Sequence, residues 1–346
     1  MSGGVDSSVA AALLKKQGYD VIGVFMKLWS PYAEASGDKA ATAARTVASK
    51  LKIPFYVINL QKEFKKAVVD YYISEYEEGR TPNPCVICNR DIKGQILMKK
   101  VLELNGDYLA TGHYAKIIKE KGSYHLYRPL DENKDQTYFL WTLTQEKLSK
   151  LLFPLGNLTK PEVRKIAAKM KLPTAERRES QGICFIPDRD VSGFLYRYAK
   201  KLTKPGDIQD IKGNKIGIHN GLINYTIGQR ERLGLGGPKA YYVVELKVED
   251  NVLIVGDEKD LYKKELVAKD LNWINKPSKS IGARIRHGHP IEECKISKNY
   301  RGKIIVTFQK SQRAITPGQS IVFYSPRGEA GKDEEVIGGG NIEEKI

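Results

Sequence analysis

The sequence predicts an α/β domain with a parallel sheet, followed by a small β-rich middle domain and a C-terminal β-barrel. Three observations predict it. A glycine-rich turn, Ser2-Gly-Gly-Val-Asp-Ser-Ser8, runs directly into an apolar helical stretch that starts at Val9. Continuous apolar segments then alternate with helical ones, as buried parallel strands and their crossover helices do. After about residue 202 the chain changes to short Val/Ile segments punctuated by glycine, which fits small β domains. The expected domain boundaries are 1–200, 201–266 and 267–346.

The elements follow in order. A helix over 7–17 ends at Gly18, a strand covers 20–26, and an alanine-rich helix covers 38–51. A strand at 55–60 and a helix at 63–76 lead into the loop Glu77-Glu-Gly-Arg-Thr-Pro-Asn-Pro84. A helix near 89–104 and a strand at 108–111 come next. Residues 114–143 read as a hairpin and a return strand. Lys160–Met170 is a helix with Pro161 in its first turn, and 194–198 the last helix of the first domain. Turns are expected at 213–214, 221 and 234–238, a hairpin over 241–255, and strands at 303–309 and 320–324. Gly338-Gly-Gly-Asn341 reads as a turn before a frayed end.

The 346 residues carry 57 Lys and Arg against 41 Asp and Glu, a formal charge of +16. That excess favours a polyanionic partner, although charge alone equally fits a generally basic proteome. No apolar run approaches the roughly 18–20 residues that span a membrane. With the glycine-rich loop at the very start of the chain, no leader is expected and the cytoplasm is the expected compartment.

The opening turn is a phosphate cradle. Paired glycines let the backbone approach a ligand, and the first helical amides point forward without internal partners. Ser2, Ser7 and Ser8 add hydroxyls. No Gly-Lys-Ser/Thr follows, so a Walker-type loop is not indicated. Asp6 makes sense beside a pyrophosphate if Mg²⁺ bridges the two. The segment matches the PP-loop of the ATP pyrophosphatases, which cleave ATP to AMP and pyrophosphate while activating a substrate oxygen.

Four cysteines occur, at 85, 88, 184 and 294. In a cytosolic chain these point to catalysis or metal binding rather than a disulfide framework. Thr81-Pro-Asn-Pro-Cys-Val-Ile-Cys-Asn-Arg90 sets Cys88 at or just before the expected helix start, where the helix field and Arg90 would favour thiolate. Redox pair, metal half-site and nucleophile with neighbour all remain open for Cys85 and Cys88. Cys184, between glycine and an aromatic, reads on its own as a buried small hydrophobe. Cys294 reads as a structural strand residue.

The ordered motifs identify a family. They are Ser2–Ser8, Phe25-Met-Lys27, Thr81-Pro-Asn-Pro-x-x-x-Cys-Asn89, Ala110-Thr-Gly-His-Tyr114 and Asn133-Lys-Asp-Gln-x-Tyr-Phe-Leu140. Gly182-Ile-Cys-Phe-Ile186, Thr226-Ile-Gly-Gln-Arg230 and Thr316-Pro-Gly-Gln-Ser320 complete the set. Over essentially the whole chain this resembles the bacterial tRNA-specific 2-thiouridylases, the MnmA/TrmU family. The resemblance implies a tRNA-uridine 2-sulfurtransferase that replaces the C2 oxygen of the wobble uridine in tRNAs for Lys, Glu and Gln. It implies ATP over Met1, Ser2, Gly3, Gly4, Val5, Asp6, Ser7, Ser8, Met26 and Gly112. It implies a persulfide on Cys184, with Cys88 attacking it or otherwise assisting sulfur release, and a Cys88–Cys184 disulfide left behind. Asn83, Pro84 and Cys85 would line the target base, while Lys134, Asp135, Gln136, Arg286 and His287 would contact tRNA. A sulfur-donor protein, a cysteine desulfurase or a relay, is implied as partner, and the middle domain and barrel as tRNA-binding.

Two departures stand out. The family carries a strand before the loop, so either the start is misassigned here or the sheet lacks its usual first strand. Many members have Asp where this chain has Cys85. Cys85, Cys88 and Cys184 together would make a ligand set for a [4Fe–4S] cluster with one open iron, and persulfide and cluster chemistries stay open. The rivals are another PP-loop ligase acting on a small molecule, and an RNA-binding protein that keeps the fold without the activity.

Overall fold

The computed structural model describes residues 1–31, 33–177, 182–236, 240–277, 281–298, 302–325 and 334–346. The expected turn at 234–238 and Ser180-Gln181, beside the Gly-Ile-Cys motif, therefore lie partly or wholly outside the described residues.

The first domain starts with the helix Val5–Lys16, which buries Val5, Val9, Ala10, Ala11, Ala12 and Leu14. Its small apolar residues let it pack closely against the helix Lys160–Lys169. Strands Gly23–Lys27 and Phe55–Asn59 pair in parallel, Gly23 opposite Phe55 through Lys27 opposite Asn59. A second parallel pair joins Leu109–Ala110 to Leu151–Leu152. The two pairs are separate sheets among the described residues, and the amino group of Met1 donates to the carbonyl of Val24.

The helix expected near 89 begins earlier. Pro84 occupies its first turn, where a missing N–H and a fixed φ cost nothing. The helical run then passes from Pro84–Ile87 through a π-helical stretch, Cys88–Leu97, to Met98–Glu103. Wide π turns are uncommon and often mark functional sites. Gly94 permits this one, since a Cβ there would lie 2.7 Å from the carbonyl oxygen of Asn89.

After the hairpin Lys116–Glu120/Ser123–Tyr127 the expected return strand is absent among the described residues. Short 3₁₀ turns, Glu132–Lys134 and Thr137–Phe139, stand there instead. The middle domain orders its strands Lys215–His219, Gly206–Asp210, Val252–Gly256, Tyr242–Lys247. The C-terminal strands run Tyr262–Trp273, Ile304–Arg313, Glu292–Lys298, Ile281–Arg284, Ser320–Tyr324, Glu335–Lys345, and the last pairs back with the first to close a barrel. The hairpin of the first domain extends the barrel sheet, Tyr127 facing Glu335 and Leu126 facing Val336.

Gly338–Gly340 are not a turn. They lie inside the last strand. Their lack of a side chain admits other parts of the fold: a Cβ on Gly339 would lie 2.7 Å from the Trp141 ring, and one on Gly338 2.9 Å from Trp273.

Candidate active site

The glycine-rich turn and its helix form an open cradle. Gly3 has φ +74, and Arg177 donates to its carbonyl at 2.8 Å. Gly4 caps the helix without a side-chain hydrogen bond to the first amides. Ser7 Oγ and Ser8 Oγ donate back to the Gly4 carbonyl, and Ser2 Oγ lies 3.2 Å from Ser7 Oγ. Gly112 closes one side: a Cβ there would lie 2.8 Å from the amide of Ser7. The strand holding Met26 lies in the neighbouring parallel pair.

Asp6 is one-third exposed. Lys160 Nζ donates to both its oxygens, at 2.7 and 2.8 Å, and Tyr114 donates its hydroxyl to Oδ1 at 2.9 Å. Oδ2 thus carries one partner and keeps acceptor capacity. This hard carboxylate donor fits Mg²⁺.

Cys85 and Cys88 share one face of the helical run, three residues apart. Cys88 is therefore one turn inside the helix and not at its start, because Pro84 starts it. Arg90 does not serve the thiols: it forks onto Asp91 at 2.7 and 2.9 Å. Cys184 arrives from the segment after Gly182. Its neighbour Phe185 is buried among Phe64, Tyr72 and Phe194, so the backbone is anchored while the thiol stays open. All four cysteines are free; Cys85 and Cys184 are exposed at the cleft and Cys294 is buried in the barrel.

Cys184 senses both other thiols, and Cys85 senses Cys88. The surrounding protein raises all three above the ordinary thiol range, and Cys184 is pushed up to about 12, with Cys88 and Cys85 adding to the rise. Solvent at the cleft mouth tempers the desolvation part for Cys85 and Cys184. The thiolate expected at Cys88 is thus opposed by burial first and by Asp91. One cation works the other way on all three, Lys93. Lys93 Nζ donates to Asn89 Oδ1 at 2.9 Å and lies 3.2 Å from His113 Nε2. His113 Nδ1 lies 2.7 Å from Thr111 Oγ1. Burial and Lys93 hold this imidazole well below its usual range, and so neutral at pH 7. Among the described residues no three His, Cys, Asp or Glu side chains converge as a metal-ligand set.

The remaining expected residues divide. Pro84 is buried and Asn83 half-buried, next to Cys85 in the chain. Lys134 and Gln136 are half-buried, and Gln136 Oε1 accepts from the Tyr114 amide. Asp135 is only 3% exposed. It accepts from Arg128 Nε, Arg284 Nη1 and the amide and hydroxyl of Thr137. A carboxylate so enclosed does not face a partner; it fixes the segment that carries Lys134 and Gln136. Arg286 donates to Thr316 Oγ1 at 3.0 Å. The exposed His287 lies 2.9 Å from the Asp135 carbonyl, its ring 4.7 Å from that of Phe139. Sequence reasoning missed Lys93, Lys160 and Arg177. Each meets its partner across 20 to 174 positions of chain, and no local pattern reports such pairings.

Comparison with known proteins gives matches along the whole chain. Residues 1–188 match the family model described as "tRNA methyl transferase HUP domain", 192–257 the "tRNA methyl transferase PRC-barrel domain", and 263–342 the "Aminomethyltransferase beta-barrel domain". The tRNA-specific 2-thiouridylase MnmA 1 of Caldanaerobacter subterraneus subsp. tengcongensis is 48% identical, with 100% of this chain and 97% of that protein covered. The tRNA-specific 2-thiouridylase MnmA of Carboxydothermus hydrogenoformans is 45% identical at the same coverage. That of Symbiobacterium thermophilum is 47% identical, covering 100% of this chain and 91% of that protein.

Proposed function

We propose, from the premise that this chain belongs to the tRNA-specific 2-thiouridylase family, that it thiolates C2 of the wobble uridine in tRNAs for Lys, Glu and Gln through a persulfide on Cys184. The family models carry a methyltransferase label. The juxtaposition of Cys184 with Cys85 and Cys88 beside a phosphate cradle favours sulfur transfer, since a methyl transfer needs neither. That juxtaposition is the observation that carries the reading.

ATP binds over residues 1–8, with Met26 and Gly112 on its flanks. Asp6 would hold Mg²⁺, which neutralises the departing pyrophosphate. The helix amides and Ser2, Ser7 and Ser8 orient the phosphates. The C2 oxygen of the uridine attacks the α-phosphorus, and pyrophosphate leaves. The base reaches this pocket by leaving the anticodon stack, since it is single-stranded and can be splayed out. Asn83, Pro84 and Cys85 receive it.

The terminal sulfur of the Cys184 persulfide then attacks C2, and AMP leaves with the C–O electron pair. The Cys88 thiolate next attacks the Cys184 sulfur. The S–S bond breaks, its outer sulfur stays on C2 as the thiocarbonyl, and a Cys88–Cys184 disulfide forms. An external reductant restores the thiols, and a sulfur-donor protein reloads Cys184. Splitting the substitution into covalent steps lowers each barrier. Lys134, Gln136, Arg286 and His287, with the middle domain and barrel, contact tRNA, and the net charge of +16 suits phosphate-dominated binding. The cytoplasm is the compartment this reading requires.

Purified protein, ATP, tRNA and a persulfide donor should yield 2-thiouridine by nucleoside mass spectrometry, with AMP and pyrophosphate released. Cys184→Ser and Cys88→Ser should abolish the product, and Cys294→Ser should not. Full activity in Cys184→Ser ends the assignment. Cys85→Asp separates the sulfur chemistries: the persulfide route keeps activity in air. Iron bound to anaerobically purified protein, lost together with activity in this variant, would instead establish the cluster.

A further inference from the structure

Two sequence motifs have no part in the chemistry above, Thr226-Ile-Gly-Gln-Arg230 and Thr316-Pro-Gly-Gln-Ser320. Each holds a glycine at positive φ, Gly228 at +88 and Gly318 at +88, and Gly79 before the target-base loop has φ +69. All three sit where domains meet. A Cβ on Gly79 of the first domain would lie 2.4 Å from Val248 Cγ2 of the middle domain. One on Gly228 of the middle domain would lie 2.8 Å from Ala314 Cβ of the barrel. One on Gly318 of the barrel would lie 3.0 Å from the amide nitrogen of Thr81 in the first domain. The contacts close a ring: first domain to middle, middle to barrel, barrel back to first.

The last link is also hydrogen-bonded. The Thr81 amide donates to the Pro317 carbonyl at 2.9 Å. Gln319 Nε2 donates to the Thr81 carbonyl at 2.8 Å. The turn itself is rooted in the barrel, because the Gly318 amide donates to the Ile342 carbonyl at 2.9 Å and the Ile342 amide to the Gln319 carbonyl at 2.8 Å. On the other side, Arg80 is fixed by a fork onto Glu75 at 2.8 and 2.6 Å. Two residues past Thr81 the chain reaches Asn83, and four past it Cys85.

We propose that the barrel turn 316–319 is a positioning device for the target-base loop, with Gln319 as its key side chain. It clamps both backbone groups of Thr81 and so sets where Asn83, Pro84 and Cys85 stand relative to the cradle. The glycine ring makes the position of that loop depend on how all three domains are seated. A tRNA held by the barrel and middle domain thereby fixes the loop that receives its base. This rests on the reading of residues 83–85 given above.

The test compares wild-type protein with Gln319→Ala and Gly318→Ala. For Gln319→Ala, kcat for thiolation should fall roughly tenfold to a hundredfold, the scale of a small misplacement of reacting groups. The KM for tRNA and the melting temperature should hold. Hydrogen exchange at the Thr81 amide and through residue 88 should speed up. Gly318→Ala should do the same more strongly, and if it fails to fold, Gln319→Ala decides alone. A raised KM with unchanged kcat would make Gln319 a direct tRNA contact and overturn the proposal. Unchanged exchange at Thr81 in folded Gln319→Ala would overturn it as well. If the wild type does not thiolate tRNA, the functional reading fails, and the exchange experiment still judges the clamp.

Discussion

Asp6 and Asp135 both sit in motifs that read as functional, and the structure puts them in opposite states. Asp135 is 3% exposed and accepts four hydrogen bonds, two from Arg128 and Arg284 and two from Thr137. Arg128 goes on to pair with Glu132 and Glu334, and Arg284 lies 5.3 Å over the Tyr324 ring. That cluster welds the first domain to the barrel. Asp6 is one-third exposed and keeps an oxygen with a single partner, Lys160. A carboxylate with a lightly partnered oxygen can still take a ligand; one whose partners are complete inside the fold cannot. Motif membership does not separate the two, whereas burial and a complete partner set do.

The largest expected effect breaks the architectural side. Asp135→Ala leaves Arg128 and Arg284 buried with less compensation, and losing one member of a buried ion cluster typically costs about 3–5 kcal/mol. Urea denaturation should show that loss, with Asp135→Asn falling between. A loss below about 1 kcal/mol would mean that Glu132 and Glu334 already balance Arg128 and that Arg284 needs no carboxylate, and the contrast with Asp6 would weaken.

Next comes the working side. Asp6→Asn should retain the fold and tRNA binding and lose pyrophosphate release, by about a hundredfold on the scale of one preorganised electrostatic contact. Stopped-flow phosphate detection with added pyrophosphatase measures it. An unchanged release rate would reduce Asp6 to a structural partner of Lys160 and erase the distinction drawn above.

What the sequence discloses follows from how far its signals reach. The cradle and the helix after it are legible because glycines, serines and the apolar run lie within a dozen residues. The barrel is legible through the spacing of short apolar strands. The run around Pro84 reads as loop and so sets Cys88 too near a helix start, although proline at the first helical position is a known start signal. Gly338–Gly340 reads as a turn in the sequence because a strand glycine explains itself only through distant neighbours, here Trp141 and Trp273. The Lys93–His113 pair and the partners of Asp135 are tertiary facts. No periodicity encodes them.

The smallest expected effect sharpens the comparison at its finest point, the placement of Lys160. Lys160 is the first residue of the helix Lys160–Lys169, so its direction depends on how that helix begins. Thr159 and Glu162 form a capping box there: the Thr159 side chain takes the third-position amide, while Glu162 accepts the Thr159 amide at 2.7 Å and its hydroxyl at 2.8 Å. Asp131 also accepts the Lys160 amide at 2.9 Å. Thr159→Ala removes one cap and should lower stability by about 1 kcal/mol. Its second consequence is the informative one. A frayed first turn lets the Lys160 ammonium leave Asp6, so the KM for ATP should change severalfold while the KM for tRNA stays put. The capping loss alone, with ATP kinetics untouched, would show that Asp131 suffices to seat Lys160. The cradle would then owe its geometry to the loop at 131 and not to the helix cap.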